Sequence, residues 1–148
     1  MGLFDSFNIS ASALSAQRLR MDIISQNIAN ANTTRTEEGT PYRRKMVLFQ
    51  EKEANIPFSQ YLSEESRAKY LVGSGVRVSG IVEDQSPFKQ VYDPSHPDAD
   101  ENGIVSMPNV EIVTEMVNMI SATRAYEANV TALNASKSMA MKALEIGR

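Results

Sequence analysis

The feature that most constrains the fold is the stretch from residue 109 to residue 146, which contains neither proline nor glycine. Apolar side chains recur in it at alternating spacings of three and four, a pattern typical of a helix that packs along another helix. Two interleaved series carry this seam: Ile112, Met119, Tyr126, Leu133 and Ala140, and Met116, Thr123, Val130, Lys137 and Leu144. A helix of this length would extend about 55 Å, so we expect it to need a long partner.

A second candidate helix lies near the start of the chain, over residues 6–34. Asp5 or Ser6 can cap it, and it fades in the Asn- and Thr-rich stretch 30–34, where side chains compete for backbone hydrogen bonds. Its apolar stripe is also built from two series with a period of seven: Leu14, Met21 and Ile28, and Gln17, Ile24 and Ala31. Pairing of the two helices is therefore the simplest way to bury both stripes. The last helix is expected to start at Asn109 as N-cap, directly after Pro108.

The middle of the chain, residues 35–108, holds all six prolines and five of the seven glycines. Short apolar or alternating runs predict four strands, at 44–50, 76–82, 88–92 and 104–107. Residues 51–70 are charged and irregular, which predicts a mobile loop. The sequence therefore predicts an α+β chain with an N-terminal helical segment over 1–34, a β-rich middle over 35–108, and a C-terminal helix over 109–148. The two long helices are expected to pair as a coiled coil.

The helical segments are unusually poor in charge. Across 112–136 the charged residues are Glu115, Arg124 and Glu127, and the first helix is equally sparse. A solvated helix face normally carries Lys and Glu in quantity. We therefore expect these helices to be buried further, by copies of the chain or by related subunits. An ordinary helical hairpin within a monomer is the alternative.

Composition excludes several classes of protein. The chain has no Cys, which removes disulfides, thiolate zinc sites and Cys nucleophiles. A formal charge of −3 argues against a nucleic-acid partner, and no apolar run is long enough for membrane insertion. The first residues lack the basic and apolar regions of a cleaved signal peptide. No nucleophile–base pair or phosphate-binding glycine loop accompanies the single His96, so we predict neither an enzyme nor a cofactor.

The most polar segment is residues 93–103. Asp98, Asp100, Asn102 and Gly103 match the first half of an EF-hand calcium loop, but the twelfth position is Asn109 rather than a glutamate. A tight turn with Gly103 at positive φ explains the same residues, and the sequence favours that turn without a metal. The alternative function is a small soluble module that binds calcium or another ligand through this turn, together with the basic patch at 42–45.

Three parts of the chain carry motifs of one protein family. The run S-Q-N-I-A-N-A-N-T at 25–33 is similar to the N-terminal signature of flagellar rod and hook proteins. The run D-P-S-H-P-D-A-D-E-N at 93–102 resembles proximal rod subunits in particular. The last helix adds E-M-V-N-M-I at 115–120 and R-A-Y-E-A-N-V at 124–130. Together these stretches resemble the flagellar basal-body rod protein family of bacteria, and the resemblance extends over nearly the whole chain apart from 51–70.

The resemblance implies a structural subunit that stacks helically, terminal helices innermost, into the tubular rod that crosses the periplasm, transmits torque and carries the export channel. Its partners would be other rod subunits, copies of itself and the flagellar type III export apparatus, which exports such chains without signal cleavage. Asn27, Asn30 and Asn129 are expected to form inter-subunit hydrogen bonds. The full predicted interface is Leu14, Met21, Ile24, Asn27, Ile28, Asn30, Met116, Met119, Tyr126, Asn129, Val130 and Leu133.

Overall fold

The computed structural model describes residues 3–52 and 75–146. Along the chain lie helix α1 (Leu3–Ala29), strands β1 (Lys45–Glu51), β2 (Val76–Glu83), β3 (Lys89–Tyr92) and β4 (Ile104–Met107), and helix α2 (Ile112–Ile146). The predicted α+β class is confirmed, and each predicted strand lies within one residue of an observed one. The predicted loop at 51–70 falls outside the described residues, apart from Glu51 and Lys52.

The strands form two small antiparallel sheets. Strand β1 pairs with β2. Asp84 N donates to Arg44 O, and Lys52 N donates to Gly75 O. The start of β1 therefore lies beside the end of β2, and the two strands are antiparallel. Strand β3 pairs with β4 in a register that places Lys89 opposite Met107 and Tyr92 opposite Ile104. Side chains of β2 alternate between half-buried and exposed, as expected for a strand with one covered face.

The chain folds into two compact units, each of which takes part of both helices. The second unit comprises residues 19–48 and 80–123, and the first comprises the described parts of 1–18, 49–79 and 124–148. In the second unit α1 and α2 run antiparallel. Asn27 Nδ2 donates to Glu115 Oε2 over 2.9 Å, and Thr123 Oγ1 lies 3.6 Å from Met21 Sδ. The later residue of α1 contacts the earlier residue of α2, and the earlier residue of α1 contacts the later one of α2, so the helices run in opposite directions.

In the first unit, the start of β2 lies directly against α1. Ser12 Oγ donates to Ile9 O and accepts from Val76 N. Gly75 has a φ of 103°, a conformation that side chains rarely adopt, and a Cβ at this position would overlap Ser12 Oγ. Only glycine therefore satisfies both the backbone conformation and the close approach.

The covered face of α2 agrees with the predicted seam only in part. Of the two predicted series, the half-buried members are Met119, Tyr126, Leu133, Ala140, Thr123 and Val130, whereas Ile112, Met116, Lys137 and Leu144 are exposed. Glu115, Ala122, Asn129 and Ser136, which belong to neither series, are also covered. Ala122 is fully buried and Glu115 is 1% exposed, whereas Met116 is 54% exposed. The two most deeply buried positions of α2 are thus a small residue and a carboxylate, while several larger apolar side chains near the start of the helix are exposed.

Candidate functional site

A buried amide on α1 lies at the centre of the second unit. Asn27 is 1% exposed, and its side chain makes four hydrogen bonds. Its Nδ2 donates to Lys45 O and to Glu115 Oε2, each over 2.9 Å. Its Oδ1 accepts from Lys45 N and from the Tyr42 hydroxyl, each over 2.9 Å. Two donors and two acceptor positions are the full capacity of an amide, so Asn27 ties α1 to the start of β1 and to α2.

Glu115 brings the first turn of α2 into the same junction. Its Oε1 accepts from Arg44 Nε over 2.9 Å and from Arg44 Nη2 over 2.8 Å, which is a two-pronged, charge-assisted pair. Its other oxygen accepts from Asn27. A carboxylate in the first turn is also favoured by the helix dipole. The buried charge is therefore paired on both oxygens, as burial requires.

Arg44 connects this carboxylate to the end of β2. Its guanidinium lies 3.4 Å from Asp84 Oδ2, and both side chains are about one-fifth exposed. Burial acts to lower the pKa of Arg44, but the bonds and charges of Glu115 and Asp84 outweigh it and raise that pKa. The pKa of Asp84 is lowered, first by hydrogen bonds from the Ser86 hydroxyl and backbone and then by Arg44. The junction therefore holds one cation between two anions.

Tyr42 contributes a buried hydroxyl to the same set of contacts. Tyr42 is 7% exposed and donates to Asn27 Oδ1. Burial is the main cause that raises its pKa, and the charges of Glu83 and Glu115 add to that effect. Tyr42 thus stays a neutral donor, which is the form that the amide oxygen requires. We call the set Asn27, Tyr42, Arg44, Asp84, Asn109 and Glu115 the polar junction.

Asn109 belongs to this junction and does not cap α2, so the predicted start of the helix is wrong. Its Oδ1 accepts from Arg44 N over 2.8 Å, and its Nδ2 donates to Asp84 O over 3.0 Å. The helix instead begins at Ile112. Glu111 O accepts from Glu115 N, which places Glu111 at the N-cap. The side chain of Asn109 thus forms hydrogen bonds with residues that flank β1 and β2, and it is not available as the N-cap that the local sequence predicts.

The predicted interface residues fall into three groups by burial. Ile24 and Asn27 are buried, and Met116 is exposed. The others are half-buried: Leu14, Met21, Ile28, Asn30, Met119, Tyr126, Asn129, Val130 and Leu133. The structure brings Asn27 and Met21 against α2 within the chain, through Glu115 and Thr123.

The three asparagines predicted to bond between subunits make hydrogen bonds within the chain. The amide of Asn27 is fully used in the polar junction. Asn30 Nδ2 donates to Gln26 O over 2.9 Å, and Asn129 Nδ2 donates to Ala125 O over 2.7 Å. The side-chain amides of Asn30 and Asn129 can form further hydrogen bonds with a neighbouring subunit, whereas the amide of Asn27 already makes all the hydrogen bonds it can. An inter-subunit role for Asn30 and Asn129 stays a prediction.

The segment 93–103 forms a tight turn, as the sequence favours. Gly103 has a φ of 72°, Asp93 Oδ1 accepts from Ser95 N and Oγ, and the pKa of Asp93 is lowered mainly by these bonds. His96 Nδ1 accepts from Asp98 N over 3.1 Å. Asp98 Oδ2 accepts from Thr34 Oγ1 over 2.8 Å. Asp93 is therefore engaged within the turn and Asp98 in a contact with the end of the N-terminal segment. Within 3–52 and 75–146 no three metal-ligating side chains converge.

An exposed apolar surface lies on the first turns of α2, on a side of the helix where the sequence predicts part of the seam. Its five large apolar side chains are between 43% and 68% exposed: Ile112, Val113, Met116, Val117 and Ile120. The spacing places them on one side of the helix. We call this set the α2 stripe. Neither α1 nor α2, over the ranges that the structure describes, has a stretch apolar enough to cross a bilayer.

Sequence reasoning missed the polar junction as a unit. Glu115 and Arg44 are 71 residues apart, and no periodicity links them. The available signal was the isolation of Glu115, since a single carboxylate in an almost uncharged helix suggests a specific partner. The basic patch at 42–45 is compatible with a solvated strand end or with a contact to an acidic neighbour, and the structure shows the second for Arg44, which pairs with Glu115 and Asp84.

Comparisons with known proteins decide the family. A family model for flagella basal body rod proteins matches residues 7–35, and one for the C-terminal part of flagellar basal body rod FlgEFG proteins matches residues 101–146. The FlgC flagellar basal-body rod protein of Bacillus subtilis is 53% identical, over all of both chains. The chain belongs to the FlgC family of flagellar basal-body rod proteins. The FlgC proteins of Borreliella burgdorferi (50% identical, over 99% of this chain and 98% of the relative) and Salmonella typhimurium (42%, over all of both chains) agree with this assignment.

The predicted resemblance is thereby confirmed. The chain is a structural subunit of the flagellar basal-body rod, and the family to which it belongs is not enzymatic. The matched segments coincide with α1 and with β4 and α2. The two family models therefore cover the two helices and strand β4, while the FlgC relatives match the whole chain.

Proposed function

We propose that this subunit assembles helically through its terminal helices into the tubular drive shaft of the flagellum. In this role it transmits torque and helps to enclose the export channel. Its partners are other rod subunits and copies of itself. It reaches the rod through the flagellar type III export apparatus without signal cleavage, and the rod crosses the periplasm.

The α2 stripe is the observation that carries this proposal. Five large apolar side chains lie in water on a helix that the polar junction holds firmly to α1 at its first turn. Full burial of such a side chain stabilises by about 1.5–3 kcal/mol, which favours association. The buried positions of α2 are occupied by Glu115 and Ala122, so the larger apolar side chains of the α2 stripe remain available for neighbours.

Torque transmission requires that the two helices and the β region move as one body within each unit. In the second unit the polar junction links α1 and α2 to the residues that flank β1 and β2, through paired groups that are buried or partly buried. Broken buried pairs are costly, about 3–5 kcal/mol, so this junction resists local opening. That stiffness supports a load-bearing role better than a ligand-binding one.

The proposal is tested by placing a charge in the α2 stripe. Val117 is 61% exposed, so Val117→Asp should leave the chain folded while preventing its burial against a neighbour. We expect cells that carry this variant to lose motility and their purified basal bodies to lack the subunit. Gln90→Asp, at an exposed polar position in β3, is the matched control. Normal swimming with Val117→Asp and a rod of normal composition would refute assembly through this surface.

A further inference from the structure

Asn102 is the only asparagine of the chain that is followed by glycine. In such a pair the backbone nitrogen of the glycine can attack the side-chain carbonyl carbon of the asparagine, because glycine has no side chain to hinder the approach and its backbone rotates freely. The attack closes a five-membered succinimide ring and expels the amide nitrogen as ammonia. Asn102 lies in the turn over 93–103 and is exposed, so the carbon that would be attacked is open to solvent.

The turn holds the nucleophile of this reaction, the backbone nitrogen of Gly103. Gly103 is buried, its N–H donates to Asp100 O over 2.7 Å, and its carbonyl oxygen accepts from Asp93 N over 2.9 Å. Its φ is 72°, and a Cβ placed on it would lie 3.1 Å from both Pro94 Cβ and Tyr92 Cε2. The glycine backbone is therefore packed and hydrogen-bonded on both sides, which opposes the rotation that ring closure requires.

Succinimide formation and the folded turn exclude each other. The ring nitrogen carries no hydrogen, so the bond from Gly103 N to Asp100 O must break before the ring can form. Removal of the N–H proton, which makes the nitrogen nucleophilic, also requires that a base reach a buried group. Deamidation of Asn102 therefore needs a local opening of the turn or an unfolded chain.

We propose that Asn102 is a site of spontaneous deamidation whose rate is controlled by the folding of the turn over 93–103. In the open chain the nitrogen of Gly103 loses its proton to solvent and bonds to Asn102 Cγ. The bond from Cγ to Nδ2 breaks, and the leaving nitrogen takes up a proton and departs as ammonia. Water then adds to either carbonyl of the ring and reopens it. The net reaction consumes water, releases ammonia and needs no other reagent.

The two products differ in their effect on the turn. Ring opening at the side-chain carbonyl gives aspartate, which keeps the backbone length and adds a charge beside Asp98, Asp100 and Glu101. Ring opening at the backbone carbonyl gives isoaspartate, in which the main chain passes through the former side chain and gains a methylene group. The longer backbone moves Gly103 out of register with Asp100 and Asp93, so we expect the isoaspartyl chain to lose the turn.

Mass spectrometry of the purified full chain tests the proposal. Samples are incubated in mildly alkaline buffer, either folded or in guanidinium chloride, and are then digested for peptide analysis. We expect Asn102 to deamidate readily in guanidinium chloride and at a rate lower by about tenfold or more in the folded chain, since the reaction there waits for local opening. Asn134 is the internal control. It is exposed, but the methyl group of Ala135 hinders ring closure, so Asn134 should stay largely unmodified in both samples.

Asn102→Gln is the matched control variant. It keeps an amide at an exposed position, but its longer side chain would have to close a larger ring, which forms far more slowly. The isoaspartate of the unfolded wild-type sample, detected by enzymatic methylation of its carboxyl group, should therefore be absent from this variant. An equal isoaspartate signal in Asn102→Gln would overturn the site, as would an unmodified Asn102 in guanidinium chloride.

Amide hydrogen exchange tests the control by the turn. The N–H of Gly103 must be freed both for exchange and for attack on Asn102, so the two rates should rise together. Asp93→Ala removes the acceptor of the Ser95 bonds and should accelerate both in the folded chain. Asp22→Ala, at an exposed position of α1, should change neither. Equal deamidation rates in the folded and unfolded wild-type chain would overturn this control, as would unchanged rates in Asp93→Ala or faster exchange without faster deamidation.

Discussion

Removal of the buried carboxylate at the start of α2 is the most informative perturbation of the fold. Glu115→Ala deletes the acceptor of four hydrogen bonds, two from Arg44, one from Asn27 and a long one of 3.5 Å from Asn118. Arg44 is 22% exposed at its side chain and can turn to water, whereas Asn27 at 1% exposure cannot. The loss should therefore lie near the lower end of the range for broken buried pairs, at about 3 kcal/mol.

Thermal unfolding followed by circular dichroism measures this loss. For a chain of this size about 3 kcal/mol corresponds to a fall in Tm of about 6–12 °C. Glu127→Ala is the matched control, because it removes an exposed carboxylate from the same helix, and it should change Tm by less than about 2 °C. Equal Tm values for the two variants would refute the role assigned to the polar junction. Amide hydrogen exchange should locate the effect, with faster exchange at the first turns of α2.

Three further perturbations test separate parts of the account. Gly75→Ala should lower the free energy of unfolding by about 1–3 kcal/mol in a denaturant titration, because the positive φ of Gly75 and the nearby hydroxyl of Ser12 on α1 both oppose a side chain. Gly80→Ala is the control, since open space surrounds Gly80, and it should lower that free energy by less than about 1 kcal/mol. The free energy of unfolding should fall as pH drops below about 4, because the lowered pKa of Asp84 stabilises the folded chain only where that carboxyl is charged in both the folded and the unfolded state. Asp84→Asn should weaken this pH dependence, and an unchanged acid profile in that variant would contradict the reasoning. Stability should also fall above about pH 10, because the raised pKa of Tyr42 favours its neutral form in the folded chain, and Tyr42→Phe should flatten that alkaline decline in the same titration.

The local patterns of the sequence predicted the elements well. Alternation and short apolar runs placed all four strands, and the heptad spacing of Met119, Tyr126 and Leu133 found a face of α2 that is half-buried. These features are properties of consecutive residues, so a single sequence carries them. The turn at 93–103 is likewise local, because Asp93 and Gly103 act on their own backbone and on near neighbours.

The features that the sequence did not predict depend on distant partners. Asn109 has the right residue type for an N-cap, yet its side chain bonds to Arg44 and Asp84 across the fold. In the first turn of α2 the buried residue is Glu115 and not Met116, because the Glu115 carboxylate accepts hydrogen bonds from Arg44 and Asn27. Periodicity ranks residues by hydrophobicity, and it therefore assigned the apolar Met116 to the inside.

The central claim is that the α2 stripe is exposed in the free subunit and covered in the rod. Reactivity of Val117→Cys toward a water-soluble maleimide tests it directly, provided that the variant still supports motility. We expect fast labelling of the free chain, labelling slowed at least tenfold in intact basal bodies, and full labelling once the rods are dissociated in denaturant. Equal labelling rates in the free chain and in the intact rod would contradict the account.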